Sequence, residues 1–197
     1  FSSNHDIAHV IVDQRKYAMH AVKEFTDVTG VTPEQLKFKV DTPIVDADQQ
    51  VLLPDQPKPL DGEYAKHGSK IVGLYMWLAR TGWPHITVAV QELGRNIQVW
   101  SDKIDRQCRR MIAHVSSFMA TGVLLLRISP QDLKEGKLKL LVFSDADHAA
   151  NVSTRKSVSG TTIFFSGPHG TWSLLEWISK TQRTISLSTA EAELLAA

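Results

Sequence analysis

Near Val123 the spacing of apolar residues changes from helical to alternating, and that change limits what the chain can fold into. Before it, apolar residues recur every three to four positions, the period of a helix with one buried face. After it they alternate or run together in short blocks bounded by turn residues, as strands do. Helices first, then neighbouring strands joined by short turns, predict an α+β fold with an antiparallel sheet and a boundary near residue 130.

The opening HVIVDQ reads as a short strand, and QRKYAMHAVKEF as a helix with Tyr17, Ala21, Val22 and Phe25 on one stripe. From Pro43 to Pro59 four prolines exclude a regular helix or central strand, so about 41–62 is an ordered loop or a linker. GSKIVGLYMWLAR then carries Ile71, Leu74, Tyr75 and Leu78 on one face, and Pro84 suits the first turn of HITVAVQELGR. WSDKIDRQCRRMIAHVSS aligns Ile104, Cys108, Met111, Ile112 and Val115, with Ser101 or Asp102 as N-cap. GVLLLRI, LKLLVFSD, GTTIFF and TWSLLEWIS read as strands, and SGPHG closes the last two into a hairpin. SLSTAEAELLAA starts a helix. Trp77, Trp100, Trp172 and Trp177 lie inside periodic segments and are expected in the core.

Composition excludes a few classes. A net charge of +1 in 197 residues gives no global field for nucleic acid or membrane, so such binding needs local patches. One cysteine, Cys108, rules out a disulfide framework and points to a reducing compartment. Cys108 sits on an apolar helix face and is expected to pack rather than react. Runs such as GVLLL are too short to cross a bilayer, so no membrane is expected. The chain starts at Phe1 and stops within a helix, so it reads as a piece of something longer.

The chemistry-bearing residues are acidic. The apolar run up to Phe143 ends on Asp145 and Asp147, two apart and therefore on one face of an extended chain. Ser188 and Glu191 have capping-box spacing, which occupies Glu191 at the helix start. Glu193 is about 200° round from it and free to point at the sheet. Asp145 from a strand end and Glu193 from a first helical turn would form half of a site for Mg²⁺, which takes carboxylate oxygens. Two such ions can clamp a phosphodiester. Asp-rich strand ends and Ser/Glu helix starts also arise from turn and cap chemistry alone. Lys103, Arg106 and Arg110 share a helix face, and Arg155 and Lys156 follow the first long strand. All five could meet phosphates, or be solvated surface. The eight histidines show no zinc spacing, His148 is expected to face solvent, and Ser157 and Ser159 lack triad partners.

SDADHAAN, TRKSVSG, TWSLLEWISK and LSTAEAEL occur in the order and at the spacing of the ribonuclease H domain of copia-type retrotransposon polyproteins, which the chain resembles. GLYMWLARTGWPHITVAVQELGR is similar to the upstream part of that family. The resemblance implies a thumb- or connection-like tail of a reverse transcriptase over 1–130 and the first half of a ribonuclease H-like domain over 131–197. It implies Asp145 and Glu193 as catalytic Mg²⁺ ligands, with Mn²⁺ a substitute, and hydrolysis of the RNA strand of an RNA–DNA hybrid once acids beyond Ala197 complete the set. The implied partners are the hybrid and the remaining reverse transcriptase and integrase polyprotein, in a cytoplasmic particle and the nucleus. Asn151 and His148 replace the family's Asp and Trp. A non-catalytic nucleic-acid-binding or structural relic is the alternative it allows.

Overall fold

The computed structural model describes residues 7–38, 40–44, 62–151 and 154–197. Most of the Pro-rich stretch, and Asn151's side chain, lie outside the described residues. The chain forms two compact units, one from Asp13 to Val123, the other joining the residues up to Val12 with Leu124–Ala197.

The first unit is helical. Helix α1 (Arg15–Thr29) buries Ala18, Ala21, Val22 and Phe25, the stripe its sequence draws, and ends at Gly30, whose φ of 72° only glycine adopts cheaply. A 3₁₀ turn, Pro33–Leu36, follows a capping box in which Thr32 and Gln35 bond each other's backbone. Helix α2 (Gly68–Thr81) buries Ile71, Val72, Tyr75, Leu78 and Ala79. Pro84 opens a 3₁₀ turn that leads into α3 (Thr87–Arg95). Helix α4 (Asp102–Phe118) buries Ile104, Cys108, Met111, Ile112 and Val115. These faces meet in one apolar core that includes Phe25, Tyr64, Tyr75, Trp83 and Trp100. Ser101 occupies the N-cap of α4 with extended backbone, but its hydroxyl makes no capping bond.

The second unit is built on an antiparallel sheet. Its strands are β1 (Ala8–Val12), β2 (Leu124–Ile128), β3 (Lys139–Asn151), β4 (Lys156–Ser166) and β5 (Trp172–Thr181), in the order β1-β2-β5-β4-β3. β1 pairs with β2 from Ala8 opposite Ile128 to Val12 opposite Leu124. β2 meets β5 at Arg127 and Trp172, and the Ser173 hydroxyl donates to the Arg127 carbonyl at 2.8 Å. β3 pairs with β4 from Lys139 opposite Ser166 to Asp147 opposite Val158, and its register then shifts. The β4–β5 register shifts once, between Ile163 and Phe164. Two short helices complete the unit, α5 (Pro130–Lys134) and α6 (Thr189–Ala196), the latter against β3 and β4.

The fold is therefore α+β, with a five-stranded antiparallel sheet and six α-helices among the described residues. Nothing in this topology ties it to a ribonuclease H-like fold. Two tryptophans depart from expectation. Trp77 is 56% exposed on α2 and Trp172 46% exposed on β5, because a position in a periodic segment does not say which side is covered. Trp83, outside any periodic stripe, is buried instead.

Candidate functional site

Asp145 lies in β3 opposite Gly160, and Ala146 lies opposite Ser159. The Ser159 hydroxyl accepts from the Gln182 amide, which also reaches the Ala192 carbonyl of α6. Ser159 and Ala146 are thus on the face that α6 covers, and the pleat sends Asp145 and Asp147 to the reverse face. Ala146 is buried, while both aspartates are exposed. Glu193 is half-buried on α6. Ser188 caps α6 by accepting from the Glu191 amide at 3.2 Å, and Glu191 accepts from the Leu187 amide at 2.7 Å, one residue further out than a standard capping box. No cluster of three or more His, Cys, Asp or Glu side chains able to hold a metal ion is present among the described residues.

The five cations belong to different units. Lys103, Arg106 and Arg110 lie on α4, and the Arg110 guanidinium donates to the carbonyl and hydroxyl of Thr42, both at 3.1 Å. Arg155, at φ 57°, forms the β3–β4 turn with exposed surface, and Lys156 begins β4. Arg110 therefore has a structural use that its helix face does not announce.

The acids with the most organised surroundings are ones the sequence does not flag. Asp105, buried on α4, accepts from the Glu63 amide (2.6 Å), the Tyr64 amide (3.1 Å) and the Trp100 indole (2.7 Å). It joins the residues after the Pro-rich stretch to the core. Trp100 in turn fills the space over Gly62 and Gly68, where an added Cβ would come within 2.6 and 2.8 Å of its ring.

In the sheet unit Asp132, fully buried, accepts from the amides of His169 (3.0 Å) and Thr171 (3.2 Å) in the β4–β5 turn. Burial alone would raise its pKa. The Thr171 hydroxyl and the two amides outweigh that and lower it. Neighbouring Glu135 is held down to about 2 by Lys137, Gln131 and His169. SGPHG is thus a hairpin turn latched to α5, and the one signal for it is the Asp at N3 of a Pro-initiated helix. Asp132 is thus sealed among donors from the chain itself, while Glu135 stays exposed beside Lys137 and His169.

A third cluster packs Trp83, His85, His114 and Phe118, with ring centroids 5.2, 5.2 and 4.8 Å apart in that order. His114 is buried, and its Nδ1 lies 3.0 Å from the Val40 carbonyl, so Nδ1 carries the proton in the neutral ring. Its Nε2 is buried without a partner. Burial lowers the His114 pKa against the opposing Val40 bond, and burial with the nearby His114 charge brings His85 to about 4. His148, expected in solvent, is half-buried with an unpartnered Nδ1. Ser157 and Ser159 are acceptors for Ala149 and Gln182, as structural hydroxyls are. Cys108 is fully buried, and that burial pushes its thiol pKa well up, so it packs as its position implies.

No family model matches the chain, and no solved structure matches it. Among curated proteins it is 31% identical over 128 residues to "Secreted RxLR effector protein 161" of Plasmopara viticola, covering 64% of this chain and 80% of that one. This overturns the resemblance to a copia-type retrotransposon polyprotein. Reverse transcriptase, ribonuclease H, nuclease and hydrolase readings go with it, as does the nucleic-acid-binding relic.

The physical reason is visible in the motif blocks. SDADHAAN and TRKSVSG span an irregular strand end and a hairpin turn, with Ala149 and Arg155 at positive φ and Ser157 bonding the Ala149 amide. LSTAEAEL is a helix start whose Ser and first Glu serve the cap. Local structure accounts for those residue types without catalysis. The intracellular expectation falls too, since the relative is named as secreted and a lone, buried Cys108 sets no redox compartment. With 31% identity to a protein of which it covers 80%, the chain belongs to the family of that secreted RxLR effector.

Proposed function

We propose that this chain is a secreted effector that works by binding a partner rather than by catalysis. The observation that carries the reading is its 31% identity over 128 residues with a curated secreted effector. Two features of the molecule support it. Large apolar side chains stay exposed on the sheet unit, among them Ile11, Leu125, Leu140, Val142, Phe143 and Ile178, and exposed apolar surface of that extent marks interaction sites. The single thiol is sealed in the helical core, so an oxidising exterior has no reactive cysteine to attack.

The test is to express the complete reading frame, tagged at its C-terminus, in the organism that encodes it. Export predicts intact protein in the medium while a cytosolic marker stays in the cell pellet. A protein found solely in the pellet overturns the proposal.

A further inference from the structure

We infer that β3 pairs edge to edge with β3 of a second copy, antiparallel, about a two-fold axis at Val142. This goes beyond the effector reading and does not depend on it. β3 ends the sheet order, with β4 on one side and no strand on the other among the described residues. Natural edges are usually blunted by proline, a bulge, brevity or charged side chains, and of these β3 carries charges, Lys139, Asp145 and Asp147, with a register shift only beyond Asp147. From Lys139 to Asp147 this one has no proline, keeps an unbroken register with β4, and belongs to a 13-residue strand. Its apolar side chains are exposed on both faces. Leu140 and Val142 (each 60% exposed) lie on one face, and Phe143 (52%) lies on the other. A helix laid on the sheet would extend one face. A strand alongside β3 extends both.

Charge selects the second copy as that strand. Lys139 and Asp145 lie three residues either side of Val142 and on the same face. No described residue forms an ion pair with either. With Val142 opposite Val142 in an antiparallel pair, Lys139 of each copy faces Asp145 of the other, so the two-fold makes the contact twice. Leu141 then faces Phe143, an apolar pair of the sort that stabilises neighbouring strands. Parallel self-pairing would set Asp145 against Asp145.

The experiment is sedimentation equilibrium on the full chain, with Lys139→Glu, Asp145→Lys and the double variant K139E/D145K. The wild type is expected to dimerise. Each single variant places like charges opposite at both contacts and weakens the dimer by at least roughly tenfold. The double variant restores the opposite charges and recovers the wild-type constant. Circular dichroism shows that each variant keeps the fold, as exposed positions predict. A chain that stays monomeric, larger aggregates insensitive to the swaps, a dimer that neither single variant weakens, or a double variant that fails to recover would each overturn the inference.

Discussion

The two units hold themselves together by different means. The helical unit is closed around Phe25, Tyr64, Tyr75, Trp83, Trp100 and Met111, all essentially removed from water. In the sheet unit the buried apolar side chains among the described residues are two alanines, Ala146 and Ala192. Its other buried positions are polar: Ser129, Asp132, Ser157, Thr171, Ser173, Gln182 and Ser186. The first unit is stabilised by apolar area, the second by hydrogen-bonded seams beneath a sheet that leaves many large apolar side chains exposed. Burial is non-directional and tolerates helices of many pitches, whereas buried polar seams need each partner in place.

The sharpest way to break this comparison is paired truncation. Phe25→Ala, which removes a buried ring packed edge-on against Tyr64 at 5.3 Å, should cost about 3–5 kcal/mol. Phe143→Ala, at a half-exposed ring on the sheet, should cost less than about 1 kcal/mol. Chemical denaturation of both variants checks this, and equal losses would mean the sheet face is covered in solution. Next in size is Asp105→Ala. It leaves the Trp100 indole and the Glu63 and Tyr64 amides without their acceptor and should cost about 2–4 kcal/mol. Replacement by Asn, which keeps one acceptor oxygen, should recover part of the loss.

In the sheet unit the seam itself is the target. A Cβ at Gly167 would fall within 2.3 Å of the Asp132 carboxylate, so Gly167→Ala should cost about 1–3 kcal/mol. Gly160→Ala, where an added Cβ meets nothing within 4 Å, should stay within about 0.5 kcal/mol of wild type. The two melting curves separate crowding of the seam from a general intolerance of alanine.

Acid distinguishes the units last and most gently. A histidine whose folded pKa is depressed binds fewer protons than it does unfolded, so stability falls as pH drops. The helical unit should lose stability progressively from about pH 6.5, the ordinary histidine value, towards pH 4, where His85 titrates. Part of His85 remains in solvent, which limits the size of the effect. The sheet unit's Glu135, held near 2, keeps its contribution until pH falls below the ordinary carboxylate range. Tryptophan fluorescence melts at pH 7, 5.5 and 4.5 should show the helical unit weakening, and His114→Gln with His85→Gln should flatten that slope.

Much of the fold was legible in the residues. The stripes of α1, α2 and α4, the strands from β2 to β5 and the SGPHG hairpin follow from period and turn chemistry, which are local. So does the cap at Ser188. The candidate site was less so. Asp145 and Glu193 stand out in the sequence because they break apolar runs, but the pleat and α6 set Ala146, not Asp145, toward the helix. Asp105 stands out nowhere in the sequence and Asp132 only as the N3 residue of a Pro-initiated helix, because backbone amides they accept from lie up to 42 and 39 residues away. A carboxylate's role depends on which donors converge on it, and that convergence is not a property of its neighbours in the chain.

By itself the sequence determined which segments coil and which extend, since backbone sterics, side-chain period and caps act within a few residues. Tertiary structure alone decided that Ala8–Val12 would join Leu124–Ile128 across the whole helical unit, that Trp83 would be buried and Trp77 exposed, and that β3 would be left as an edge. Each of those depends on which surfaces meet, and pairing free energy is gained between residues far apart in the chain, where local pattern carries no record of the partner.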